Sequence, residues 1–178
     1  LFLQMELCGA GSGYATLEHW LNVRRSVSNA DTLQILVQVA NALEWIHRHG
    51  VVHRDVKPAN LFISTDQLSG GLVVKLGDFG LARDLSVSES GMAGSMMKRE
   101  RGSGLFSKDG LHTEGVGTGL YASPEQLDGG VCTDRSDMFS FGVLIVELFL
   151  VFSTRMERAN TLREARGGTL PKGLASGM

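Results

Sequence analysis

The run His53 to Phe62, HRDVKPANLF, constrains this chain more than any other stretch, because it sets basic, acidic and amide side chains between two short apolar segments. Val51-Val52 stands before it and Leu61-Phe62-Ile63 after it. Runs this short and rich in β-branched residues read as strands. Charged and amide side chains held in a loop between two strands have the make-up of a reaction site.

The segments on either side read as a mixed helical and extended fold. Leu1 to Leu7 fits a strand, and Gly9 to Gly13 (GAGSG) is a connector that lacks the spacing and setting of a phosphate-binding glycine loop. Thr16 to Leu21 predicts a short helical turn. From Asp31 a longer helix is expected, with Leu33, Leu36, Val37, Ala40, Leu43 and Ile46 near helical spacing, Asn29 or Asp31 as cap, and His49-Gly50 as stop. Leu61 to Ser64 and Leu72 to Leu76 read as strands, the latter running into Gly77-Asp78-Phe79-Gly80. Residues 86–117 are rich in Gly and Ser, show no sustained period and read as a long mobile loop. Ser123-Pro124-Glu125 opens a helix with Pro in its first turn. An amphipathic segment, Arg155 to Arg166, follows the apolar run from Phe139 to Phe152.

Composition narrows the function classes. With 178 residues, 43% of them hydrophobic and 20% charged, the chain has the material for one domain with a core. A formal charge of -2 does not suggest a nucleic-acid coat or a membrane-surface protein. The apolar run at 139–152 carries Ser140 and Glu147 and falls short of the ~20 residues that span a bilayer, so it reads as a buried core helix. Cys8 and Cys132 have no metal-ligand spacing and read as two thiols in a reducing compartment, ahead of one disulfide. No signal peptide is evident, and the chain reads as a piece of something larger.

A loop bearing Asp55, Lys57 and Asn60 opposite a second loop bearing Asp78 offers hard oxygen ligands of the kind Mg²⁺ takes beside substrate phosphates. A carboxylate not on metal is free to orient a hydroxyl nucleophile, and a nearby lysine neutralises charge on a transferring phosphoryl group. That set suits in-line phosphoryl transfer, where catalysis is mostly positioning and electrostatics. Three motifs occur in order: His53-Arg54-Asp55 with Lys57 and Asn60, then Asp78-Phe79-Gly80, then Ser123-Pro124-Glu125. Together they resemble the signature set of protein kinases, with Ser123 in place of the usual alanine.

The resemblance implies an α+β fold: the mainly helical large lobe of a protein kinase, from hinge to substrate-docking helix across residues 1–178. The small β-rich lobe would be missing, with 86–117 an activation-loop insert. Asp55 would be the catalytic base and Lys57 the phosphate-side lysine, while Asn60 and Asp78 would hold Mg²⁺ on ATP. Met5 would be the gatekeeper, Glu6 to Cys8 the hinge against adenine, and Phe62 the floor under that ring. Asp137 would brace the catalytic loop. Glu125 would lack its usual arginine partner and stay unpaired. Arg54 and Arg83 would form a basic pocket for a phosphorylated Thr113 or Thr118, with Thr118 also placed to touch Asp55. Lys57 and Thr118 favour serine/threonine specificity.

Phe152 to Pro171, together with LFLQMELC and GVGTGLYASPEQLDG, is similar to the kinases of the alpha subunit of translation initiation factor 2, nearest the haem-regulated and endoplasmic-reticulum members. That implies substrate docking through Arg155, Glu157, Arg158, Thr161 and Arg166. It further implies a cytoplasmic location, a kinase-domain dimer formed through the missing lobe, and no direct nucleic-acid binding by this segment. The glycine loop, the lysine and its partner glutamate would precede Leu1, so the isolated fragment is expected to be inactive. An inactive truncated kinase or pseudokinase-like docking module is the alternative, against which the intact Asp55, Asn60 and Asp78 argue.

Overall fold

The computed structural model describes residues 16–24, 26, 28–66, 68–84 and 118–171. Its centre is a helix that is apolar on more than one side. This helix, Asp134–Leu148, is polar in its first turn, where Asp134 and Asp137 complement the helix dipole. Farther along, Phe141, Leu144 and Leu148 face one hydrophobic cluster, while Val143 and Val146 face another. A helix apolar on opposite sides must be covered on both. The helix stops at Leu148, so the rest of the apolar run, from Phe149 to Phe152, continues into the next connection. No described helix is long and apolar enough to cross a membrane.

In chain order the other helices are α1 (Leu17–Val23), α2 (Asn29–Arg48), α3 (Thr118–Tyr121), α4 (Pro124–Leu127) and α6 (Arg155–Arg166), with Asp134–Leu148 as α5. The strands are β1 (Val51–Val52), β2 (Leu61–Thr65), β3 (Leu72–Leu76) and β4 (Arg83–Asp84). They form two antiparallel pairs, β1 with β4 and β2 with β3, in which Val52 lies opposite Arg83 and Phe62 opposite Lys75. The β1–β4 pairing was not anticipated from sequence, since Arg83-Asp84 carries no strand pattern.

The first cluster fills the space between α1, α2, the β2–β3 hairpin and α5. In α2 the buried stripe is Thr32, Ile35, Val39, Leu43 and Ile46, whereas Leu33 and Val37 are exposed. Of the expected stripe, Leu43 and Ile46 are buried and Leu36 packs partly buried against the core, but Leu33, Val37 and Ala40 face solvent, and Ile35 and Val39 take their place. Burying Ile35, Val39 and Leu43 contributes about 1.5–3 kcal/mol each. The cap also differs from expectation. Ser28, not Asn29 or Asp31, accepts from Asp31 N at 3.3 Å, and the helix begins at Asn29. It ends as expected at His49-Gly50, with Gly50 at φ 74°.

The second cluster joins α3, α5 and α6 through Leu120, Tyr121, Val143, Val146, Ala159 and Leu162. At the far end of α5, Arg24 lies over the Trp20 ring and donates to three backbone carbonyls: Glu147 and Leu148 at 2.9 Å, and Leu150 at 2.6 Å. A side chain just beyond α1 thus adds its donors to carbonyls at the end of α5, where Leu150 N and Thr32 Oγ1 also donate to Glu147 O and Leu148 O.

Candidate active site

The HRDVKPANLF loop runs from β1 to β2, and a short 3₁₀ turn, Pro58–Asn60, delivers Asn60 at the mouth of β2. The second loop leaves β3 at Gly77 and carries Asp78 into another 3₁₀ turn, Phe79–Leu81. Two bonds clamp these loops together. Gly77 N donates to Asn60 O at 3.0 Å, and His53 Nε2 lies 2.9 Å from Gly77 O. A carbonyl can only accept, so Nε2 carries the proton, and Asp55 N donates to His53 Nδ1 at 3.3 Å. His53 is therefore neutral and fully buried, its ring edge against Phe79.

Asp137 holds the same loop from below. Its carboxylate, fully buried in the first turn of α5, accepts from His53 N at 2.8 Å, Arg54 N at 2.7 Å and His47 Nε2 at 2.8 Å. His47 lies near the end of α2 and was not singled out from sequence. Arg54 sits at φ 65° and Asp78 at φ 58°, the two non-glycine residues with positive φ among those described. Backbone in this region costs on the order of 1–3 kcal/mol and persists where surrounding bonds impose it.

Asp55 is half-buried, and its Oδ2 accepts from Lys57 Nζ and Asn60 Nδ2, both at 2.8 Å. Asn60 Nδ2 also donates to Asp55 O at 2.8 Å. With its amide nitrogen spent on Asp55, Asn60 offers only its carbonyl oxygen to a ligand. Asp78 is exposed, and one of its oxygens accepts from Gly80 N at 3.4 Å. One amide oxygen and one carboxylate fit Mg²⁺, which takes few protein ligands and keeps substrate phosphates and water. Among the described residues no cluster of three or more His, Cys, Asp or Glu is set to hold a metal by protein groups alone. Phe62 lies against Gly77, where an added Cβ would come within 2.7 Å of the ring.

Arg54 Nε donates to Leu81 O, and Arg83 is exposed on β4. Of the remaining expected residues, Met5, Glu6, Cys8 and Thr113 lie outside the described residues, as does the 86–117 segment. For Thr118 only the backbone is described, opening α3.

Glu125, expected to lack an arginine partner, takes a hydroxyl instead. Ser136 Oγ donates to its Oε1 at 2.6 Å, and that bond holds its carboxyl below the usual carboxylate range. Ser123 and Gln126 form a capping box that starts α4.

The expected docking residues separate into two groups. Arg155 is exposed, and Thr161 is half-buried. Glu157 is exposed but acts as a cap, accepting from Ser153 N at 2.7 Å while its own N donates to Thr154 Oγ1 at 3.0 Å. Arg158 and Arg166 turn inward instead of outward. Arg158 bonds the buried Glu147 at 2.5 Å and Tyr121 OH at 2.8 Å, and Tyr121 OH donates to Glu147. Arg166 donates to Ala122 O at 2.9 Å, with its guanidinium over Phe139 and its Nε buried with no partner among the described residues. Both guanidiniums are drawn in because carboxylate, hydroxyl and carbonyl acceptors lie under α6.

The protein kinase domain family matches residues 1–166. Eukaryotic translation initiation factor 2-alpha kinase 3 of Rattus norvegicus is 37% identical over 176 residues, covering 96% of this chain and 14% of that protein. Eukaryotic translation initiation factor 2-alpha kinase 1 of Mus musculus is 37% identical over 184 residues, covering 98% of this chain and 28% of that protein. A third relative, eukaryotic translation initiation factor 2-alpha kinase pek-1 of Caenorhabditis elegans, is 33% identical over 174 residues, covering 96% of this chain and 15% of that protein. The chain therefore spans less than a third of the length of these relatives. Two clamped loops bearing Asp55, Asn60 and Asp78, braced from α5, agree with the matched domain: the chain belongs to the protein kinase family.

Proposed function

We propose that this chain is the larger lobe of a serine/threonine kinase that uses ATP and Mg²⁺ to phosphorylate the alpha subunit of translation initiation factor 2, restraining protein synthesis under stress in the cytoplasm. The observation that carries the reading is the double clamp at Gly77, which binds the Asp55–Asn60 loop to the Asp78 loop. The relatives' names and the resemblance of Phe152 to Pro171 support the substrate assignment. Phosphoryl transfer in this reading also needs a loop over the ATP phosphates and a lysine–glutamate pair.

In this reading Asp55 Oδ2 is held by Lys57 and Asn60, while Oδ1 faces the incoming serine hydroxyl. The carboxylate orients that hydroxyl and takes its proton as the new P–O bond forms. Lys57 offsets charge on the phosphoryl oxygens. Asn60 Oδ1 and Asp78 would hold Mg²⁺, which would neutralise phosphate charge. In the full-length protein, Asp55→Asn is expected to lower phosphate transfer by at least about 10²-fold with the melting temperature retained. Near-normal turnover of that variant would overturn the base assignment. Phosphorylation of a serine peptide but not of the translation factor would overturn the substrate assignment.

A further inference from the structure

Gln126 makes two bonds that point beyond helix capping. The side chain is buried at the third position of α4. Its Oε1 accepts from Ser123 N at 2.9 Å, and its Nε2 donates to Arg54 O at 2.7 Å. That donor–acceptor pair fixes which way the amide faces. The carbonyl it grips belongs to the peptide plane joining Arg54 to Asp55, and the N–H on the other edge of that plane is the one donated to His53 Nδ1. Arg54 is held in the left-handed region by three elements: Asp137 of α5, Leu81 after Asp78, and Gln126 of α4. Of these, Asp137 and Gln126 both follow the 86–117 segment, and Gln126 is the one that grips the carbonyl edge of the 54–55 peptide.

We propose that Gln126 is a positioning residue for phosphoryl transfer: by gripping Arg54 O it sets the plane of the 54–55 peptide, and with it the direction in which the Asp55 carboxylate points. Seating of α4 is then a condition for turnover, although no atom of α4 touches the reacting groups. The inference rests on Asp55 as the group that orients the hydroxyl, and is independent of which protein carries that hydroxyl.

Two substitutions in the full-length enzyme separate positioning from capping. Gln126→Glu keeps an acceptor for Ser123 N, as glutamate ordinarily does at this position of a capping box, but sets an oxygen against Arg54 O. Gln126→Ala removes both bonds. With a short serine peptide and saturating ATP, kcat is expected to fall about ten- to a hundredfold in Gln126→Glu. KM for peptide and for ATP and the melting temperature should stay near the wild-type values, and Gln126→Ala should show a kcat loss of similar size. Wild-type kcat in Gln126→Glu would mean that the residue only caps α4 and would overturn the proposal. A loss of kcat that follows a loss of melting temperature in that variant would overturn it equally. An enzyme active on the peptide yet inactive on the translation factor would defeat the substrate assignment and leave this result standing.

Discussion

Tyr121 shows how much chemistry at the scale of one residue depends on partners far off in sequence. Its hydroxyl meets Glu147 of α5 and Arg158 of α6. Burial first, and then the Glu147 carboxylate, push its pKa well above the ordinary 10.0, against the opposing pull of Arg158. An unfolded chain therefore releases this proton before the folded one does. The stabilisation is fully present below pH 10.0 and declines as pH rises past it. Tyr121→Phe is expected to flatten that alkaline decline, read as melting temperature from roughly pH 9 to pH 11, while costing about 1–3 kcal/mol at neutral pH. None of this was legible in sequence, nor was the reach of His47 to Asp137 or of Gln126 to Arg54. Asp55, Asn60 and Asp78 were legible because their spacing is local, whereas each missed residue acts across a gap that only the fold closes.

At the scale of an element, α6 has two faces with different consequences. Its inner face ends in guanidiniums: Arg158 against Glu147 and Tyr121, and Arg166 against Ala122 O. Arg158→Ala leaves a nearly fully buried carboxylate without its cation, and is expected to cost about 3 kcal/mol in a denaturant titration. Its outer face carries Arg155 and Met156, both exposed. The double substitution Arg155→Ala with Met156→Ala is expected to change stability by less than about 0.5 kcal/mol. If α6 docks the translation factor, the same variant raises KM for that substrate and leaves turnover of a short serine peptide unchanged. The helix itself was legible in sequence from its amphipathic pattern. Which arginines face inward was not, because helical spacing alone does not reveal acceptors on neighbouring elements.

For the whole molecule, α5 is what makes two hydrophobic clusters one structure. Phe141, Leu144 and Leu148 belong to the cluster with α1, α2 and the β2–β3 hairpin, and Val143 and Val146 to the cluster with α3 and α6. Loosening one side of α5 therefore loosens the other. Leu144→Ala, at a fully buried position, is expected to cost about 2–5 kcal/mol. Its urea transition should stay single, with tryptophan fluorescence and far-ultraviolet circular dichroism coinciding; two separate transitions would show that the clusters unfold independently. The burial of α5 was legible because its apolar residues cover more than one side. Pairing of β1 with the polar Arg83-Asp84 was not, since it is the 3₁₀ turn after Asp78 that brings that dipeptide alongside Val51-Val52.

Arg24 has a consequence for the order of events during synthesis. Its three acceptors, the carbonyls of Glu147, Leu148 and Leu150, lie 123 to 126 residues downstream. Translation at about 5–20 residues per second puts those carbonyls roughly 6–25 s behind Arg24 on the ribosome. Until then the residue that closes α1 has no helix end to seal, and Trp20 and Leu17 lack the α5 side chains they pack among. The first described helix of this chain is thus among the last able to reach its final place, a span in which a nascent-chain chaperone would find apolar surface to hold.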